Sequence, residues 1–439
     1  MHQRPRSVDF IKKQTTRTEA RPVINIAIVR SASLCKLLRI LLKVMHMSLS
    51  ARLHPHHRVF AAFAIYAFGL GQIFPRLPDI KFAMGIEEGA LGLALMGIAV
   101  GTITALTLST ALVAKVGHRI AVLALIPAMV LFFAIAAFAT GPLGFFVLLI
   151  PAGLCVGAIE IIINVEADRV EAGMDRRIMS RAHAFWSLGF FGAGVYSAVM
   201  VKFGITPQTQ LMASLPVCIL LMWLFLQTFQ PAVIRATDHH DKSPIVARPT
   251  FAIMVLVGVT LSSMLLEGAS IDWTAIYMDS VFVTIPEMGA IGVATAALSQ
   301  GMVRYFGDRF VDRFAPVRVA RGMQAIMALG VITVFFAPDP ITALVGFAMI
   351  GAGNAMMFPL AMSAAAQRTD RPAAINVAAL AQFSFVTFLL APPILGFIAE
   401  QFGLRWTFGI GLPLIMLSFA LSGALGAKPA KNTKQAVTG

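Results

Sequence analysis

Ala114-Lys115-Val116-Gly117-His118-Arg119 and Gly307-Asp308-Arg309-Phe310-Val311-Asp312-Arg313-Phe314-Ala315-Pro316-Val317-Arg318 are two tight basic turns set in otherwise apolar sequence. Working outward from each, apolar runs bounded by charge or by Pro and Gly begin near Val59, Gly89, Ile120, Gly144, His183 and Leu211, and again near Phe251, Gly289, Val319, Ile341, Ala373 and Trp406. Both turns join the second and third runs of a set of six, so the chain reads as one six-span unit written twice. A helix needs about 20 apolar residues to cross the hydrocarbon core. Twelve such helices with short connections use nearly all of the 439 residues. The expected fold is an all-α integral membrane protein with twelve transmembrane helices in two pseudo-symmetric six-helix bundles.

Composition agrees. Apolar residues make up 58% and charged residues 13% of the chain, with 33 Phe and 23 Met, against roughly 45–50% and about 25% in soluble domains. A secreted enzyme, a DNA-binding domain and a single-pass receptor are excluded. The formal charge of +14 belongs largely to one tail: residues 1–58 hold twelve Lys or Arg against Asp9 and Glu19. No nucleic-acid partner is therefore implied. Residues 1–57 are expected to be a basic extension, either disordered, a short basic surface helix over Pro22–Met45, or sequence ahead of a true start at Met45 or Met47. Residues 58–229 and 250–427 are the expected bundles, 230–249 a polar linker and 428–439 a tail. Cys35, Cys155 and Cys218 lack paired spacing, and Asp238-His239-His240-Asp241 is a contiguous polar run of the linker, so neither disulfide, metal nor cofactor is expected.

Orientation follows the basic residues. With the amino terminus inside, Lys115, Arg119, Arg169, Arg176, Arg177, Arg181, Arg309, Arg313, Arg318, Arg321, Arg368, Arg371, three linker cations and three tail lysines are cytoplasmic, while Arg76, Lys81, Lys202 and Arg405 fall outside. The bias is about fourfold and matches an even number of spans with both termini cytoplasmic.

Leu112 to Arg119 resembles the short basic loop of the major facilitator superfamily, and Gly307 to Arg318 is similar to its second-half counterpart. Further stretches resemble the bacterial YbjJ-like branch: Arg76-Leu77-Pro78-Asp79-Ile80-Lys81, Ser180 to Gly189, Glu267-Gly268-Ala269-Ser270-Ile271-Asp272-Trp273, and Pro392 to Glu400. The resemblance covers about residues 58–426. It implies the major facilitator fold and a solute site between two rocking bundles. The first basic loop departs from the superfamily pattern, with Thr110 where a close-packing Gly is expected and Ala114 where an Asp is common. A charge-relay gate would therefore lean on Asp312 and Arg313, with Lys115, Gly117 and Arg119 as the first-half counterpart.

No enzyme constellation is present: no phosphate-cradling Gly-rich loop with Lys, no His-Glu-x-x-His, and Ser187 lacks the upstream Gly of a nucleophile elbow. The chain is not expected to be an enzyme. Ionisable residues inside spans cost roughly 2.5–3.5 kcal/mol on insertion scales and are functional candidates. Glu160, Glu267 and Asp272 qualify. Ser263, Glu267, Ser270 and Thr274 follow i, i+4, i+7, i+11 spacing, one polar stripe expected to face a wet cavity. Glu267, near the midplane and without a predicted counter-ion, is the expected proton-coupling group. Glu160 and Asn164 share a face, and laying Gly157 on Gly351 makes Glu160 coincide with Asn354. His183 and Trp186 are read as an inner-gate cluster or as interfacial residues, and Arg76 and Asp272 as partners in an outer gate.

The expected function is secondary active transport of a small hydrophilic solute, coupled to protons, by a monomer whose partners are the solute, protons and the lipid bilayer. Alternatives are a drug-type exporter, whose usual first-span acid is absent between Val59 and Ile73, and a transporter-like sensor that binds without translocating.

Overall fold

The computed structural model describes residues 53–174, 178–232 and 247–426. The amino-terminal extension up to residue 52, the linker core 233–246 and the tail from 427 lie outside the described residues. Among the described residues all regular structure is helical. The first crossing is α1 (Pro55–Leu70), continued through a single 3-10 turn at Phe74–Arg76 into α2 (Leu77–Met84). Next come α3 (Glu88–Val116), α4 (His118–Ala136), α5 (Pro142–Met174), α6 (Met179–Lys202) and α7 (Pro207–Leu226). The second set opens with α8 (Phe251–Asp272), which breaks at Trp273 and resumes as α9 (Thr274–Val281). It continues with α10 (Met288–Phe314), α11 (Pro316–Phe336), α12 (Pro340–Asn354), α13 (Met357–Ala366), α14 (Ala373–Phe402), α15 (Leu404–Gly409) and α16 (Gly411–Leu421). Counting α1 with α2, α8 with α9, α12 with α13 and α15 with α16 as single crossings gives twelve.

The twelve predicted starts fall within four residues of the observed ones. The offsets have a local cause. Pro55, Pro207, Pro316 and Pro340 open their helices, where the missing N–H costs nothing and φ is already helical, and Thr206 and Asp339 cap two of them by accepting the Thr209 and Thr342 amides. Polar residues in the first turn, as in α1, α4, α6 and α7, extend those helices ahead of their apolar runs. Eleven crossings are long and apolar enough to span a membrane. The exception is α10, diluted by Gln300, Arg304 and the charges of its last turns.

The repeat is visible in the packing. In the first half α5 lies against α3 with Gly157 seated on the Thr102 backbone; in the second, α12 lies against α10 with Gly351 seated on the Ala296 backbone. A β-carbon at either glycine would collide with the facing helix, so these contacts set the helix separation. The two basic turns share one conformation: Gly117 has φ 81° and ψ 147°, and Ala315 has φ 68° and ψ 151°. That region is nearly reserved for glycine, and Ala315 is the single non-glycine residue with positive φ among the described residues.

First-half and second-half helices meet chiefly along α6 with α10 and α3 with α14. At the Arg76 end, Gly92 and Gly396 bring α3 and α14 to backbone contact, and the Glu400 carboxylate accepts the Gly89 amide at 3.0 Å, capping the start of α3 from the other half. There α2 also packs on α9. At the opposite, Arg119 end, the Arg119 guanidinium donates to the Gln227 carbonyl at 2.7 Å, and Glu166 pairs with His118 while accepting the Ala232 amide at 2.8 Å.

Candidate functional site

The centre of the molecule holds an ion pair. Glu267 Oε1 on α8 accepts from Arg304 Nη2 at 3.1 Å and from Gln300 Nε2 at 3.1 Å. Gln300 and Arg304 are i, i+4 on α10 and so point the same way. The guanidinium is used on all three nitrogens, because Nη1 donates to Ser187 Oγ of α6 at 3.3 Å and Nε to the Ala355 carbonyl at 3.2 Å. Ala355 lies at the break between α12 and α13, where the helical ladder is interrupted. Ser187 Oγ also lies 3.3 Å from Gln300 Oε1, its acceptor. Four side chains from α6, α8 and α10 thus form one closed network. The Arg304 and Glu267 side chains are 9% and 14% exposed, buried enough that removing one partner would strand the other.

Facing this network from the first half is a second acid. Glu160 Oε1 accepts from Asn164 Nδ2 at 3.0 Å, an amide that also donates to the Glu160 carbonyl at 2.9 Å. The Tyr66 hydroxyl of α1 donates to the same carboxylate. Glu160 lies within electrostatic reach of Glu267, and His183 within reach of Arg304. Glu160 therefore has neutral hydrogen-bond partners, in contrast to Glu267.

Beside the Glu267 network a narrow cavity of about 30 Å³, room for one or two waters, is lined by Trp186, Phe190, Glu267, Ser270, Gln300 and Asn354 among others. Trp186 and Phe190 pack with ring centroids 4.9 Å apart and form its wall. The Ser270 hydroxyl and Asn354 Oδ1 are buried without a hydrogen-bond partner.

The structure brings Glu267, Ser270, Asn354 and Trp186 together and sets Glu160 with Asn164 across from them. Four expectations are corrected. Glu267 is not an uncompensated charge, because Arg304 neutralises it. The polar stripe is shorter than expected: Ser263 turns its hydroxyl back to the Thr260 carbonyl at 3.1 Å, and Thr274 lies beyond the helix break at Trp273. Arg76 does not pair with Asp272; its Nε lies 2.8 Å from Asp79 Oδ2 and its Nη1 donates to Gln210 Oε1 at 2.9 Å, turning it into the first half, although the Arg76 end is packed shut. Trp186 is a cavity wall rather than a headgroup anchor, and His183 sits edge-on to Phe63 at 5.2 Å.

At the Arg119 end, Asp312 and Arg313 are exposed, with Arg313 over the Phe314 ring at 5.3 Å and no ion pair to either among the described residues. The contact joining α6 to α10 there is Ser180 Oγ donating to Asp308 Oδ1 at 2.9 Å. Gly117 forms the turn before α4, whereas the Lys115 side chain lies outside the described residues. Arg304, Gln300 and Tyr66 are the residues missed from the sequence. The i, i+4 spacing of Gln300 and Arg304 inside an otherwise apolar run was the available signal.

A family model described as Major Facilitator Superfamily matches residues 255–438. The chain is also 28% identical over 362 residues to an uncharacterized MFS-type transporter of Yersinia pestis, an alignment covering 82% of this chain and 93% of that protein. The chain is thus similar to the major facilitator superfamily, by the family model in its second half and by that relative along most of its length. A second relative in sequence, an uncharacterized transporter of Sinorhizobium fredii, is 28% identical over 367 residues, covering 82% of this chain and 94% of its own length. Among solved structures, a mutant of the nucleoside transporter NupG superposes with a TM-score of 0.66 at 13% identity, covering 84% of this chain and all of that one. A D-xylose-proton symporter gives 0.63 at 13% identity, covering 85% and 99%. These likenesses identify the major facilitator fold, and the broken and glycine-seated helices described above are how this sequence builds it.

Proposed function

We propose that this protein is a member of the major facilitator superfamily and a monomeric secondary active transporter of the bacterial inner membrane, with both termini cytoplasmic, that moves a small hydrophilic solute by alternating access and couples the movement to protons. The observation that carries the reading is the paired Glu267 and Arg304 at a polar cavity between helices of both halves. Buried charge in a span is retained where it serves a pathway, and this network ties α6 to α8 and α10, where the halves meet. The positive-inside bias puts the Arg76 end outside. That end is closed by α2 on α9, α3 on α14 and the Glu400 cap, while at the Arg119 end a cavity of about 300 Å³ lies between His56, Phe60, Arg181, Phe185 and Tyr305. The arrangement suits an inward-facing or occluded stage of the cycle.

The proton site in this reading is Glu160. Glu267 has the Arg304 guanidinium as its partner, whereas Glu160 has the neutral Asn164 and Tyr66, so a change in the hydration of Glu160 on opening or closing alters its protonation most directly. Glu267 with Arg304 then serves the solute and the linkage between halves. Asp312 and Arg313, free here, are proposed to engage when the Arg119 end closes. The closer likeness to the YbjJ-like branch belongs with this proposal.

Proteoliposomes loaded at one pH and diluted into another test it. Glu160→Gln should abolish pH-driven accumulation and retain solute exchange, and Glu267→Gln should impair both. Accumulation by the Glu160→Gln variant equal to wild type would remove Glu160 from the coupling role.

A further inference from the structure

The cavity network states which solutes it can accept. Every polar atom left free there is uncharged or anionic. Glu267 uses Oε1 for both of its described hydrogen bonds, which leaves Oε2 without a described partner on a residue that lines the cavity. Ser270 Oγ and Asn354 Oδ1 are buried and unpartnered, and Asn354 is only 4% exposed. A buried amide and hydroxyl without partners are costly, and both belong to the lining of the same space. The adjacent cation is turned away from the cavity: Arg304 spends three of its five N–H donors on Ala355, Ser187 and Glu267, and it is not among the residues lining the space. An anionic solute would meet the Glu267 carboxyl and no cationic side chain in the lining, and desolvating it there would leave its charge poorly compensated. One wall is the aromatic pair Trp186 and Phe190, which suits the apolar face of a ring.

We propose that the cavity beside Glu267 takes a neutral or cationic ring bearing hydroxyl or amine donors and rejects anions, with Glu267 Oε2, Ser270 and the Asn354 amide as its polar contacts and Trp186 and Phe190 as its stacking wall. This rests on the reading of the cavity as the solute site, and it adds charge selectivity and ligand class to it. The cavity admits such a ring only when α6 and α10 part, so the ligand must be offered to protein free to change conformation.

Thermal-shift measurements on the purified full chain in detergent would use matched sets: pyranoses and cyclic polyols, the amino-substituted counterparts, and the carboxylate counterparts, with glucose, glucosamine and glucuronate as one triplet. Neutral or amino members are expected to stabilise the protein, and at least tenfold higher concentrations of their carboxylate counterparts to be needed for an equal shift. Tighter binding of the carboxylates, or no shift with any member of the three sets, would overturn the proposal. Asn354→Leu should abolish the ligand-induced shift while leaving the ligand-free melting temperature unchanged or raised, because it removes an unsatisfied polar group. A lowered ligand-free melting temperature in that variant would mark the amide as structural and overturn its role. Binding without translocation in proteoliposomes would leave this inference standing and defeat the transport reading, so the two failures are distinguishable.

Discussion

Replacing Arg304 by Met keeps the length and apolar stem of the side chain and deletes the guanidinium that holds Glu267, Ser187 and the Ala355 carbonyl. Stranding one member of a buried pair costs about 3–5 kcal/mol. Glu267 keeps 14% side-chain exposure and lines the cavity, so water recovers part of the loss and the expected cost is near the lower end, about 3 kcal/mol. That corresponds to roughly a hundredfold in the unfolding constant. Glu267→Gln also strands a charge, but Arg304 retains Ser187 and Ala355, and about 2 kcal/mol is expected. The double variant removes both charges, and its loss should fall at least about 1.5 kcal/mol short of the sum of the singles. Reversible unfolding in mixed detergent micelles, monitored by tryptophan fluorescence, measures all four proteins. Additivity within about 0.5 kcal/mol would refute the reasoning, since it would mean that the pair is not energetically coupled.

Ala315→Gly relieves a left-handed backbone that costs about 1–3 kcal/mol and should stabilise the protein by about 1 kcal/mol after the loss of chain entropy, read as a raised unfolding midpoint; Gly117→Ala should do the reverse. Glu400→Ala deletes the cap on α3 and should shift the balance away from closure of the Arg76 end by about 1 kcal/mol, about fivefold, read as faster labelling of a cysteine placed at the buried Thr274 by an external thiol reagent. Asp312→Asn should raise labelling from the cytoplasmic side, and unchanged labelling would make that loop a topogenic signal alone. Asp370 is held below its ordinary value chiefly by hydrogen bonds from Arg368, with Asn376 assisting. Its contribution to the α13–α14 loop is therefore present above about pH 3.9 and lost as pH falls through the lowered value; limited acid proteolysis of that loop should show this dependence in wild type and not in Asp370→Asn.

The helical frame was legible because a membrane span must satisfy its own backbone and face apolar surroundings, leaving a signal about 20 residues long that local exceptions do not erase. The repeat was legible through the two basic turns, and the packing also reproduces the overlay of Gly157 on Gly351. The partnership of Glu267 was not. Arg304 sits near the charged end of α10, where Asp308, Arg309, Asp312 and Arg313 disguise it as part of a cytoplasmic turn, and only the crossing of α8 with α10 places it at the centre. Arg76 failed for a related reason, since Asp79 is three residues away and Gln210 lies far along the chain on α7. The Ser263 stripe failed locally, because a serine hydroxyl in a helix can satisfy itself on a preceding carbonyl.

Accumulation in proteoliposomes of the ring that most stabilises the protein, driven by a pH gradient alone, tests the central claim most directly. The account predicts concentrative uptake that collapses with a protonophore and is absent in Glu160→Gln, with exchange preserved. Binding of that ring with neither uptake nor exchange under any gradient would contradict it.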